Sequence, residues 1–252
     1  MIAKKHLKFI KSLQIKKFRR IYNQFLVEGA KNIAELLKSD FEISSLFLTK
    51  EFEQLCAGEL KHRNMPVNIV SEEDLQRAGS FSSNNAGIAI VHMKSQKSLA
   101  PHENEYLLML DEVKDPGNLG TIIRIADWYG IKKVLCSENT AELYNPKVIS
   151  STMGSFTRVN VWYGDLVKYL KEHPDLPVYG AMLGGENIYS VDFSSKGILV
   201  MGSESAGISD ELKKHITTEI AIPGRGGAES LNVGVATGII CDNIARSLHS
   251  KG

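Results

Sequence analysis

Long apolar runs are missing from this 252-residue chain. The longest, such as residues 107–110 and 198–201, fall far short of the ~20 residues a membrane helix needs, so no membrane span is expected. Cysteine is scarce as well. Cys56, Cys136 and Cys241 are odd in number and far apart, which excludes a disulfide framework, matches no zinc or redox spacing, and points to a reducing cytoplasm and no metal. A large excess of one charge is absent too, the formal net charge being +1. With 43% hydrophobic and 23% charged residues, the composition is that of an ordinary globular protein and excludes disorder as the main state.

The near-zero net charge conceals an asymmetry. Lys4, Lys5, Lys8, Lys11, Lys16, Lys17, Arg19 and Arg20 fall within the first 27 residues, where there is no acid; the first is Glu28. No unbroken apolar segment follows these cations, as a secretory signal requires, and the stretch is not serine-rich, as a transit peptide would be. A basic arm on a mildly acidic body suits an anionic partner. A solvated helix face or a membrane-surface contact would use the same residues.

Beyond the arm, residues 28–38 place Ile33, Leu36 and Leu37 at helical spacing. Short apolar runs at 46–48, 67–70 and 86–92 read as strands, and Ser71 before Glu72, Glu73 and Asp74 reads as a helix start. These elements make a small α/β unit. Residues 94–105 are polar, aperiodic and contain a proline, which sets a boundary between domains at 1–95 and 105–252. In the second part, strands are expected at 106–110, 133–136, 159–162, 178–182, 198–201 and 219–222. Helices are expected at 118–129, 165–172, 209–215 and 231–248. Such alternation predicts a mostly parallel sheet covered on both faces.

Three glycine-rich segments each follow an expected strand, where ligands bind in open α/β sheets: DEVKDPGNLGTIIRIA (111–126), MGSESAG (201–207) and IPGRGGAESLNVGVA (222–236). Neither a P-loop nor a G-x-G-x-x-G dinucleotide fingerprint occurs. The second segment narrowly misses the G-x-S-x-G nucleophile elbow, because Ser203 stands where its first glycine is required and Ser205 would be the nucleophile. In the first segment, Asp115-Pro116-Gly117 is turn chemistry and Asn118 sits where a helix could be capped. Leu119, Ile122, Ile123 and Ala126 form an apolar stripe with Arg124 off it. Asn118 and Arg124 could border one crevice, or be a cap and a surface residue. In the third, Ser230, Leu231 and Asn232 open the last helix after a loop able to wrap a ligand; helix-start amides and the Ser230 hydroxyl suit an anionic group, or Ser230 is an ordinary cap.

In order and spacing, the three segments resemble the motifs of the SpoU (TrmH-like) RNA ribose methyltransferases of the SPOUT superfamily, over residues 107 to the C-terminus. FLVEG at 25–29, followed by a helix, resembles the start of the ribosomal-protein-like RNA-binding domain many members carry. The resemblance implies a C-terminal α/β domain with a mostly parallel sheet and a deep trefoil knot, preceded by that small α/β domain. It implies S-adenosylmethionine as methyl donor, structured RNA (ribosomal before transfer RNA) as substrate, and a homodimer. Leu183, Gly184, Gly202, Glu204, Ile222 and Leu231 would line the cofactor site. Asn118, Arg124, Ser230 and Asn232 would face the ribose, with Glu204 counted among the catalytic set. Lys16, Lys17, Arg19 and Arg20 would grip RNA. The chain departs from the family at Gly224, where a methionine often follows the Ile-Pro pair, and at Ser205, where glycine often follows the glutamate. Base-nitrogen methylation and a non-catalytic RNA-binding protein are the alternatives.

Overall fold

The computed structural model describes residues 1–61, 63–95, 99–101 and 104–249. Residues 96–98 and 102–103 of the expected boundary lie outside the described residues. The chain forms two compact units, one of residues 1–95 and 142–157, the other of the remaining described residues.

The first unit opens with α1 (Lys4–Leu13) and α2 (Lys16–Tyr22). α1 buries Ile10 and Leu13 and exposes Lys4, Lys5, Lys8 and Lys11. Asn23, in the left-handed conformation (φ 51°), ends α2. There follow β1 (Gln24–Glu28), α3 (Ala30–Leu37), β2 (Ile43–Leu48), α4 (Lys50–Leu55), α5 (Ala57–Leu60), β3 (Val67–Ile69), α6 (Glu72–Ala78) and β4 (Gly87–His92). The sheet order is β1-β4-β2-β3, antiparallel except for the β2–β3 pair. Ser71 caps α6 by accepting the Asp74 N–H, with three acids in the first turn. Ile10 and Leu13 join Leu26, Phe47, Leu75, Ile88 and Ile90 in the core, so the basic arm is an amphipathic part of this unit.

The second unit runs β5 (Tyr106–Leu110), α7 (Pro116–Trp128) and β6 (Lys133–Cys136). The chain then enters α8 (Pro146–Thr152) and a 3-10 turn (Ser155–Thr157) of the first unit. It returns as β7 (Asn160–Tyr163), α9 (Leu166–Glu172), β8 (Val178–Asn187), β9 (Gly197–Met201), α10 (Asp210–Lys213), β10 (Thr218–Ala221) and α11 (Val233–His249). The sheet order is β10-β8-β9-β5-β6-β7, and every pair is parallel. Leu107, Met109, Leu135, Ile198 and Val200 pack with Leu166, Tyr169 and Leu170 of α9. β5 and β9 are buried along their whole length, as expected of central parallel strands. Successive strands β5, β6 and β7 run to one edge, whereas β8, β9 and β10 fill the other side of β5. The order therefore reverses between β5 and β9, and the crevice outside their carboxyl ends is where a ligand site forms.

The segment 142–157 is bound within the first unit by aromatic and ionic contacts. Tyr144 lies 4.4 Å from Phe25, and Phe156 packs on Phe25 and Phe41. Arg19, 2% exposed, donates to the Leu13 and Gln14 carbonyls at 3.0 and 2.9 Å and to Glu142 at 2.5 Å. This corrects the expectation that Arg19 grips RNA: a guanidinium buried on a carboxylate and two carbonyls offers no face to a phosphate. Lys16, Lys17 and Arg20 are exposed.

Candidate active site

Each of the three glycine-rich segments is a loop beyond a strand end of the second sheet. At the first, Asp111 is buried; its N–H donates to Met201 and its carboxylate accepts the Ser209 N–H at 2.8 Å. This ties the end of β5 to the loop after β9. Glu112 follows in the left-handed conformation (φ 54°). Hydrogen bonds from Asn139 and Lys114 hold its carboxyl below the usual range. Asp115 then caps α7 by accepting the Asn118 N–H at 2.9 Å, with Pro116 in the first turn. The cap is thus three residues earlier than the sequence suggested, and the Asn118 side chain is left for another task.

That task is to join the three segments. The Asn118 Nδ2 donates to Glu204 Oε1 at 2.5 Å, and its Oδ1 accepts from Asn232 Nδ2 at 2.9 Å. Asn232 Oδ1 accepts the N–H groups of Gly234 and Val235, at 2.9 and 3.3 Å, which makes Asn232 the cap of α11. The direction is forced throughout: an ionised carboxylate only accepts, so Asn118 must turn its amino group toward Glu204. Asn232 must likewise aim its oxygen at the helix amides. Close approach of α7 and α11 makes this relay possible. A Cβ on Gly234 would lie 3.2 Å from Thr121 Cγ2, and one on Gly238 3.6 Å from Ile125, so glycines one turn apart let the two helices meet. Leu119, Ile122, Ile123 and Ala126 of the expected stripe are all fully buried.

Arg124 is exposed and forms no hydrogen bond or ion pair with a described residue, so its fork of donors is available to a ligand. Ser230 is also exposed and does not cap α11. In the loop after β9, Ser203 and Gly207 exchange backbone hydrogen bonds of 3.0 and 2.9 Å. A Cβ on Gly202 would lie 2.1 Å from the Gly207 carbonyl carbon. The loop folds back on itself and presents Glu204 at its exposed tip. Ser205 is on the same tip and is hydrogen-bonded to no histidine among the described residues, so the hydrolase reading lacks a base.

Residues 105–242 match the SpoU rRNA methylase family, and residues 4–88 match the MRM3-like substrate binding domain. The chain belongs to the SpoU rRNA methylase family. It is 31% identical over 233 residues to 23S rRNA (guanosine(2553)-2′-O)-methyltransferase RlmP of Bacillus subtilis, covering 91% of this chain and 92% of that one. A TrmH-family structure from Porphyromonas gingivalis superposes with a TM-score of 0.84 at 33% identity, covering 98% and 99% of the two chains. An AdoMet-bound rRNA methyltransferase from Sinorhizobium meliloti gives 0.86 at 27%, covering 98% and 97%. The protein is an S-adenosylmethionine-dependent RNA 2′-O-ribose methyltransferase.

The residues of the methylase assigned to the cofactor suit it chemically. β8 and β10 pair at Gly180–Glu219 and next at Glu186–Ile220, so residues 181–185 loop out of the sheet between two consecutive β10 residues. This bulge carries Leu183, 83% exposed, and Gly184 with φ 92°. Gly185 returns where a Cβ would lie 2.7 Å from the backbone of β10. Leu231 is exposed and Ile222 partly so. No atom lies within 4 Å of a Cβ built on Gly184, Gly224, Gly226 or Gly227. Exposed aliphatic side chains beside accessible backbone amides are the surfaces an adenine ring and a polar nucleoside require. Four participants had no clear signal in the sequence. Asn139 stands outside the three glycine-rich segments, Asp111 opens the first of them but its partner across 98 residues is not legible there, and Gly234 and Gly238 are legible only as an i, i+4 glycine pair once α7 is known to be their partner.

Proposed function

We propose that this enzyme methylates a ribose of large-subunit ribosomal RNA. The second unit carries out transfer, and the exposed cations of α1 and α2 hold the RNA. The observation that carries the assignment of the site is the Asn118 bridge between Glu204 and Asn232, with the unpartnered Arg124 on the same helix. A binding module has no use for three loops joined at one amide. The ribosomal substrate is supported by the Bacillus relative's name and by the match to a substrate-binding domain over residues 4–88.

S-adenosylmethionine, when bound, supplies an electrophilic methyl group on a sulfonium whose departure leaves a neutral thioether. The chain's own task is alignment, which is worth several orders of magnitude in rate when the reacting groups are held in line; the proton of the ribose hydroxyl leaves to water as the methyl–oxygen bond forms. Asn118 and Asn232 fix the relative positions of the first and third loops, and Glu204 fixes the second. Ser230 and Asn232 face the ribose. Arg124 keeps its proton, since a guanidinium has a pKa above ~12, and clamps the phosphate next to the target ribose with its planar fork. Leu183, Gly184, Gly202, Ile222 and Leu231 line the cofactor site. Lys16, Lys17 and Arg20 contribute sequence-independent phosphate contacts. The division of labour follows a substrate-binding region at 1–95 and a methyltransferase region at 105–252. The family resemblance further supports a trefoil knot in the latter, a homodimer and a cytoplasmic location.

The test is methyl transfer from labelled S-adenosylmethionine to ribosomal RNA from cells lacking the enzyme, with the product digested to nucleosides. Label in a 2′-O-methyl nucleoside of the large-subunit RNA is expected. Label on a base nitrogen, or in transfer RNA alone, would overturn the assignment.

A further inference from the structure

The first unit contains a cleft of about 330 Å³ that the transfer chemistry does not use. Its walls come from three parts of the chain: Gln14 at the end of α1, Ser80 and Phe81 after α6, and Asn145, Lys147 and Ser150 of the segment that leaves the second unit after β6. Phe81 is seated by Gly29, which adopts φ 87° and on which a Cβ would lie 3.2 Å from the ring. The ring is only partly buried and stacks on no other described aromatic side chain, whereas elsewhere in the same unit Phe25 pairs with Phe41, Tyr144 and Phe156, and Phe41 with Phe156.

The polar lining offers both senses of hydrogen bond. Gln14 uses its amino group on the Ala78 carbonyl at 3.4 Å, which leaves its oxygen as an acceptor. Asn145 uses its oxygen on the Lys147 N–H at 2.9 Å, which leaves two amide donors. The Ser80 hydroxyl donates to Glu28 at 2.7 Å, so its oxygen can only accept from a ligand. Lys147 adds positive charge at the rim, and Lys16 and Lys17 follow Gln14 by two and three residues. An aromatic face, mixed donors and acceptors, and cations beside them match the chemistry of an unpaired nucleotide.

We propose that this cleft takes one unpaired nucleotide of the RNA substrate, with its base on Phe81, its edge on Gln14 and Asn145, and its phosphate at Lys147. The inference rests on the reading that the first unit holds RNA and adds where it does so. The full-length enzyme is assayed with a large-subunit rRNA transcript and S-adenosylmethionine. Phe81→Leu keeps apolar volume but removes the stacking face, Phe81→Trp keeps the face, and Ser150→Phe fills the cleft while leaving Phe81 intact. Removing a base-stacking ring typically weakens binding ~5- to 150-fold. Phe81→Leu and Ser150→Phe are expected to raise KM for RNA ~10-fold with kcat, KM for S-adenosylmethionine and Tm unchanged, and Phe81→Trp to restore it. Wild-type KM in Ser150→Phe, or in a folded Phe81→Leu, overturns the cleft alone. A wild-type enzyme that methylates no large-subunit RNA overturns the underlying reading, and the cleft with it.

Discussion

Replacing Asn232 by aspartate separates two tasks that one side chain performs. As the cap of α11 it accepts from the Gly234 and Val235 amides, and aspartate caps as well as asparagine. A negative charge at a helix N-terminus is favourable by ~0.3–1 kcal/mol. Stability should therefore stay within ~0.5 kcal/mol of wild type. The relay cannot survive in the same way. The new carboxylate would oppose Asn118 Oδ1 where Asn232 Nδ2 now sits at 2.9 Å, and two acceptors repel. If the Asn118 amide turned to satisfy it, its oxygen would face Glu204, which now takes the amino group at 2.5 Å. One link breaks either way. A lost neutral hydrogen bond costs ~1 kcal/mol and one to a charged group ~1.5–3, so kcat/KM should fall between ~5- and 150-fold. Methyl transfer to an rRNA transcript and thermal unfolding give the two numbers. Asn232→Ala, which loses cap and relay together, should lose ~1 kcal/mol of stability as well. A cycle with Asn118→Ala should show coupling of ~1 kcal/mol in activity. The reasoning is refuted if Asn232→Asp transfers methyl within twofold of wild type, or if it unfolds as early as Asn232→Ala.

Arg124→Ala should abolish transfer and weaken RNA binding ~10-fold or more, with Arg124→Lys recovering part of the affinity but little activity, because a point charge lacks the guanidinium fork; an inactive Arg124→Ala that binds RNA normally would make Arg124 a proton acceptor instead of a clamp. Neutralising Lys16, Lys17 and Arg20 together should flatten the dependence of log RNA affinity on log salt by ~2 while leaving S-adenosylmethionine affinity intact, and an unchanged slope in filter binding would remove α2 from the RNA surface. Arg19→Met should destabilise the chain by ~3 kcal/mol, since it leaves Glu142 without its buried partner; the double variant with Glu142→Leu should regain much of that loss in chemical denaturation, and failure to do so would mean that the pair is not what anchors the segment.

Local pattern was enough for most of the fold. β5, β6 and β9 fall within a residue of the expected positions because a strand buried along its whole length is a short apolar run between polar turns, whatever its neighbours. β8 was read only to residue 182, whereas it continues to Asn187 beyond the bulge, because two glycines at its exposed end look like a loop. α8 was not anticipated. Its sequence, PKVISST, is made of β-branched and small polar residues with poor helix propensity, and it holds because Val148 and Ile149 are buried.

By itself, the sequence determined the parallel architecture, the buried stripe of α7, the ordered triplet of loops and thereby the family. It did so because burial periodicity and glycine spacing are local properties. The partners of individual polar side chains were decided only by the tertiary structure. Asn118 looked like a cap and is a bridge; its partners Glu204 and Asn232 lie 86 and 114 residues away. Arg19 looked like one cation among eight and is the single one of them turned inward, onto Glu142 across 123 residues. A hydrogen bond over such separations exists only once the intervening chain has folded, so no window of sequence can distinguish a cap from a bridge, or a phosphate contact from a buried ion pair.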